Sequence, residues 1–98
     1  MTTDSVRITV TQADIDAGVR EDCHNCPIAR AVKRAFPGAS NVTVEGMICF
    51  DHGQQTFDCV LPPVADDFID RFDNGLQVAP FGFDAEFNIE TIDGSQPL

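Results

Sequence analysis

Apolar positions recur along this chain with two periods, and the switches between them mark out its elements. Between Cys23 and Gly38 they fall at Ile28, Ala31, Val32, Ala35 and Phe36, the i, i+3, i+4, i+7, i+8 spacing of one helical face. Arg30, Lys33 and Arg34 fall together on the opposite face. Pro27 suits the first turn, where its missing N–H costs nothing, and Pro37-Gly38 stops the helix. A second helical stretch, VADDFIDRFDNG, opens after Pro62-Pro63. Its Val64, Ala65, Phe68, Ile69 and Phe72 face inward, and Asp66, Asp67 and Asp70 face out. Asp66 and Asp67 sit where the helix dipole favours acids, and Asn74-Gly75 ends the run.

Elsewhere the period is two. Residues 5–11, SVRITVT, place Val6, Ile8 and Val10 on one side of a half-buried strand. Thr11 with Asp14 three residues on is a helix-start signature, and Ile15 and Val19 predict one or two turns, weakened at Gly18. Residues 20–25 read as a polar loop. Asn41–Val44 and Met47–Phe50 read as strands parted by Gly46, Asp51-His52-Gly53 as a turn, and Thr56–Leu61 as the return strand of a hairpin. Leu76–Pro80 is an extended link. Phe81, Phe83, Ala85, Phe87 and Ile89 then alternate with Gly82, Asp84, Glu86 and Asn88, the longest strand signal, before a frayed tail at 93–98. Strands and helices that do not alternate regularly predict α+β. We expect one compact domain over residues 1–98, an antiparallel or mixed sheet of four to five strands with two main helices on one face. The pattern leaves strand order open.

Composition supports a single domain: 98 residues, 43% of them apolar, with eight Phe, are enough for a modest core. No apolar run approaches the roughly 20 residues that span a bilayer. The opening MTTDSVRITV carries an early Asp and alternates, unlike a signal peptide, so the expected location is cytoplasmic. There, four Cys read as buried thiols or a metal site rather than disulfides.

Charge divides the chain. Residues 1–44 balance Asp4, Asp14, Asp16, Glu21 and Asp22 against Arg7, Arg20, Arg30, Lys33 and Arg34. Residues 45–98 set eleven acids against Arg71 alone, so the whole net charge of −10 lies there. A basic footprint for direct nucleic-acid binding is missing. An acidic surface suits solubility or a basic partner.

Five constellations carry candidate chemistry. Cys23-x-x-Cys26 and Cys49-x-x-His52 have the ligand types and gaps of a tetrahedral Zn²⁺ site, against isolated thiols as the plainer reading. Cys23 and Cys26 alone, ahead of a helix whose N-terminus favours thiolate, resemble a redox pair, though without the preceding βαβ strand. Cys26 alone serves equally well as a small residue beside the cap. His24 near Cys26, or His52 near Asp51, could be drawn as acid/base sets. Yet no glycine-rich phosphate loop or G-x-S-x-G elbow supports a reaction or cofactor, and we expect no enzyme. The basic face Arg30/Lys33/Arg34 is either solvated or meets an acidic partner, including the acidic half of a second copy in a homodimer. Finally, Asp66, Asp67, Asp70 and Asp73, with Asp84, Glu86 and Asn88, could array carboxylates as a DNA mimic does.

Several stretches resemble small proteins encoded by tailed phages and prophages of actinobacteria. They are the Val-Thr and Asp-Ile near the start, Gly18 ahead of Cys26-Pro27-Ile28-Ala29, Phe68-Ile69-Asp70-Arg71-Phe72-Asp73, and Pro80-Phe81-Gly82-Phe83. The likeness covers most of residues 5–87 in packing motifs rather than catalytic ones. It implies a phage accessory protein in a bacterial cytoplasm and assigns no activity. The expectation is a small acidic domain that binds another protein, such as a host factor. A zinc-knuckle domain using Cys23, Cys26, Cys49 and His52 is the alternative, and a thiol oxidoreductase the third reading.

Overall fold

The computed structural model describes residues 2–91, so the tail expected at 93–98 lies outside the described residues. Along the chain run β1 (Thr2–Val10), α1 (Gln12–Ala17), α2 (Pro27–Ala35), β2 (Ser40–Val44), β3 (Met47–His52), β4 (Gln55–Val60), α3 (Pro63–Asp73) and β5 (Phe81–Thr91). The strands form one sheet in the order β1-β5-β4-β3-β2, with every neighbouring pair antiparallel. The domain is α+β as expected, and its sheet is wholly antiparallel.

Alternation decides which face is covered. Ile8, Val10, Val42, Val44, Ile48, Phe50, Phe57, Cys59, Phe83, Ala85 and Phe87 all turn to one side and join a single core with the helices. The other face carries Arg7, Cys49, Asp58, Asp84, Glu86 and Asn88 and, among the described residues, has no layer over it. One-sided covering is the usual state of an antiparallel sheet.

α2 packs against both β1 and β2, the two edges of the sheet. In a flat sheet those edges would lie four spacings apart, about 19 Å. A helix about 10 Å across touches both only if the sheet curls around it. The curl is visible in the pairing, since β5 meets β1 along its whole length but meets β4 only from Asp58↔Asn88 to Gln55↔Thr91. Beyond that point β4 leaves β5, and α3 closes the end of the sheet, its Phe68 ring 4.6 Å from that of Phe81. Inside the curl, Phe36 leaves α2 at its C-cap and sets its ring 4.8 Å from Phe50 and 5.5 Å from both Phe57 and Phe87. Such aromatic pairs add about 0.5–1.5 kcal/mol each beyond the area they bury.

Four local expectations change. β3 runs on through His52, because only Gly53 (φ 64°) needs turn geometry and His52 still pairs with Gln55 across a two-residue loop. Val19 lies outside α1, since the chain turns extended at Gly18, and it is 49% exposed. Ala35 is exposed and Ala29 takes its place inside, because Phe36 rather than Ala35 carries the chain back to the core. Val64, placed inward by its spacing, is 54% exposed.

The close seam between α1 and α2 runs through Gly18. A Cβ there would stand 2.7 Å from the Pro27 ring and 2.9 Å from the Asp14 carbonyl oxygen. Neither neighbour is the free end of a flexible side chain. Gly18→Ala is therefore expected to lower stability by about 2 kcal/mol, the usual cost of overpacking, measured by urea denaturation. An unchanged midpoint would contradict the seam.

Candidate functional site

The loop before α2 is built from its own polar groups. The Asp22 carboxylate accepts the His24 and Asn25 backbone N–H groups at 2.9 and 3.2 Å and the Asn25 side-chain amide at 3.1 Å. These bonds, that of the Asn25 side chain first, hold its carboxyl below the usual range. The loop is tied down on three sides. Val44 N–H donates to the Cys23 carbonyl at 2.9 Å, Glu21 N–H to Asp73 Oδ1 at 2.9 Å, and Lys33 Nζ to the His24 carbonyl at 2.7 Å.

Cys26 ends the loop as the N-cap of α2, its sulfur accepting the Ala29 N–H at 3.4 Å. It is buried, and that burial pushes its thiol pKa up despite the helical N–H groups, with Asp73 and Cys23 adding to the rise. The effect runs opposite to the activation a helix start gives an exposed thiol. The adjoining cleft, about 330 Å³, is lined by both thiols together with Glu21, Asp22, Glu45 and Asp73. Carboxylates around a thiol favour its protonated form. Cys26 thus sits where thiolate chemistry is discouraged.

Cys49 and His52 lie elsewhere. Three residues apart on a continuous strand, they point to opposite faces of β3. Cys49 sits on the open face opposite Asp58, its thiol pushed up by burial first and by Asp58 second. His52 turns inward, its ring 6.2 Å from both Phe36 and Phe57, and its Nε2–H donates to the Pro37 carbonyl at 3.0 Å. Among the described residues no three His, Cys, Asp or Glu side chains are grouped to hold one metal ion. Of the drawn acid/base sets, His24 Nδ1–H donates to the Val42 carbonyl at 3.0 Å, and among the described residues neither histidine ring is hydrogen-bonded to Cys26 or Asp51.

The basic face of α2 turns out to be engaged within the molecule. Arg34 grips the Asp14 carboxylate with both terminal nitrogens at 2.7 Å, and Nη2 also reaches the Thr9 carbonyl at 2.8 Å. Arg30 Nε stands 3.9 Å from the same carboxylate. Asp14, 1% exposed, also accepts the Thr11 N–H at 2.9 Å while its own N–H meets Thr11 Oγ1 at 3.2 Å, closing a capping box. Arg34 is the main reason its carboxyl lies below the usual range, outweighing burial. The sequence shows Asp14 only as a local cap; its partner, 20 residues away, leaves no sequence mark.

With Arg34 and Lys33 held this way, the exposed surface is dominated by acids. On α3, Asp66, Asp67 and Asp70 face solvent, and Arg71 meets Asp67 at 3.6 Å in an exposed i, i+4 pair. Asp73 turns back to the Glu21 N–H. Asp84, Glu86 and Glu90 line the open side of β5 beside Asp58, which accepts Asn88 Nδ2 at 3.2 Å. Arg7 meets Asp84 there at 3.3 Å. Where β4 leaves β5, a shallow cleft joins Asp84, Glu86 and Asn88 to Pro62 at the start of α3. Buried Cys59 edges this cleft, its sulfur facing the Glu86 N–H and donating to the Val60 carbonyl at 3.2 Å.

No protein-family model, curated protein or solved structure matches the chain. No described helix is long and apolar enough to cross a membrane.

Two outcomes test this geometry. A depressed carboxyl pKa stabilises fully above its unfolded value, near pH 4, and the contribution is lost as pH falls through the folded value. Arg34→Met is expected to cost about 2 kcal/mol at pH 7 by leaving that buried carboxylate with only the Thr11 N–H and the longer Arg30 contact. The deficit should shrink below about pH 4 as Asp14 protonates. A deficit that does not change with pH would contradict the pairing. For the thiols, alkylation at pH 8 followed by mass mapping should label half-buried Cys23 in the folded protein, and Cys26 and Cys59 only on unfolding. Cys26 labelling as fast as Cys23 would contradict the capping role and restore the redox reading.

Proposed function

We propose that this chain acts without catalysis, by binding a basic protein through its acidic surface. The observation that carries the reading is the sheet face left uncovered by the described residues, where Asp84 and Glu86 lie about 6.7 Å apart along β5, Glu90 lies about twice that distance beyond Glu86, and Asp58 faces the Asn88 between them. Among the described residues of that face Arg7 is the sole base. Arg34, on the helix side of the sheet, is paired with Asp14. Asp66, Asp67 and Asp70 extend the negative field around the start of α3. Such a field speeds encounter with positive partners and repels nucleic acid.

The sequence resemblance to phage-encoded proteins supports an infected bacterial cell as the setting, with a host protein as the proposed partner. A row of carboxylates suits a partner whose own ligand is a polyanion, so the protein would compete with duplex DNA for it. Capture from host lysate on immobilised protein, followed by measured affinity for the captured protein, tests the reading. Asp66→Lys, Asp67→Lys and Asp70→Lys together, or Asp84→Lys with Glu86→Lys, should weaken binding about tenfold at low salt without unfolding the chain. DNA should displace the partner. Binding unchanged by either set of reversals would overturn the acidic-surface reading.

A further inference from the structure

The two edges of the sheet are finished differently. On β2 the outer side is occupied, since Val44 N–H donates to the Cys23 carbonyl and the Val42 carbonyl accepts the His24 ring N–H. β1, at the other edge, is nine residues long, holds no proline or lysine, and pairs with β5 without a bulge. The Thr9 carbonyl accepts Arg34 from α2, so it points away from β5. Both backbone groups of a residue in an antiparallel strand point the same way, and the direction alternates along the strand. Those of Thr3, Ser5 and Arg7 therefore point outward as well. Apart from the ladder to β5, the bond from Arg34 is the only one to the β1 backbone from Thr3 to Thr9 among the described residues. Thr3, Asp4, Ser5 and Arg7 are exposed. Arg7 does not screen the edge, because its guanidinium lies over Gly82 and meets Asp84 on β5, away from the open side. A long, unscreened strand edge is a template for a further strand.

The side chains of β1 select a copy of itself. Val6 is half-buried at the margin of the core, and Asp4, on the same face of the strand, is exposed. A two-fold antiparallel pairing centred on Val6 sets the two Val6 side chains against each other and Ser5 against Arg7. Asp4 then faces Ile8 of the second copy, beside the Thr9 carbonyl where that copy's Arg34 is held. A register centred on Ser5 would instead press each Asp4 against a Val6, so the apolar pattern fixes the pairing. Charge agrees. Residues 1–44, which supply β1, α1 and α2, carry no net charge, and the excess acids lie in residues 45–98.

We propose that the chain forms a two-fold dimer through β1, joining its sheet and that of a second copy into one continuous sheet. Isologous pairing of this kind is the commonest form of self-association. The dimer uses neither the basic face of α2 nor the acidic surface, and it stands apart from the binding function proposed above. Both open faces lie on the same side of the joined sheet, with the two β5 strands three spacings, about 14 Å, apart.

Sedimentation velocity over about 5 to 500 μM protein tests the proposal, because so short a ladder should come apart on dilution. The native chain should pass from monomer to dimer across that range. Ser5→Pro removes an outward N–H and no bond to β5, so it should keep its thermal midpoint while weakening the dimer at least about tenfold. In the native chain the Ser5 and Arg7 amides should exchange with solvent about tenfold more slowly at the highest concentration than at the lowest. A chain that is monomeric throughout overturns the proposal. So does a dimer that Ser5→Pro leaves intact while those two amides exchange freely, since the copies then meet elsewhere. If the chain stays monomeric and Ser5→Pro loses the protein captured from lysate, the edge takes a strand of that protein and the second-copy assignment falls. None of these outcomes bears on the charge reversals that test the acidic surface.

Discussion

Asp14 and Arg34 hold this fold at the point where its parts would otherwise separate. The carboxylate caps α1, the guanidinium comes from the last turn of α2, and the same guanidinium reaches the Thr9 carbonyl near the end of β1. One side-chain pair thus fixes two short helices and an edge strand. Neither helix is long enough to be stable alone, so their order comes from packing and from contacts of this kind. With α2 fixed to β1, its inward stripe reaches β2 as well, and the sheet curls to meet it. The curl in turn parts β4 from β5 and makes room for α3 at the end of the sheet.

The same pair shapes the surface. A balanced N-terminal half could have presented a basic patch beside an acidic C-terminal half, as the segregation of charge along the sequence suggests. Instead the strongest base on α2 faces a buried acid of its own half, and Lys33 holds a loop carbonyl. The acids of the C-terminal half have few partners by comparison, and the exposed ones they have are weak, as Asp67–Arg71 and Asp84–Arg7 show. The acidity is therefore a property of particular faces, the open side of β5 and the outer side of α3, rather than of the chain as an average.

Most of the scaffold was legible in the sequence because it rests on short-range pattern. Alternation from Phe81 to Ile89 gave β5 its inner and outer faces, and Pro27, Pro37 and Gly38 bounded α2 within a residue or two. What pattern could not supply were long-range partnerships. Cys49-x-x-His52 has the gap of a zinc knuckle only if the chain turns between the two; on a continuing strand the same gap sends them to opposite faces. Cys26 is buried as a cap, and that burial reverses on its own thiol the effect a helix start has on an exposed one. Val64 fits the helical period but lies in the first turn of α3 at the margin of its buried stripe, and is left exposed. Gly18 and Pro27 prove to be in close approach, a packing role their separation in sequence concealed.

The claim on which both fold and surface depend is that Arg34 neutralises Asp14 inside the molecule. Carboxyl carbon NMR followed through an acid titration reads that state directly, by assigning the titration of Asp14 in the native chain and in Arg34→Met. The account predicts that Asp14 titrates below the ordinary aspartate range in the native chain and moves upward once the guanidinium is gone. An Asp14 that titrates like an ordinary aspartate in the native chain, and stays there in the variant, would contradict it.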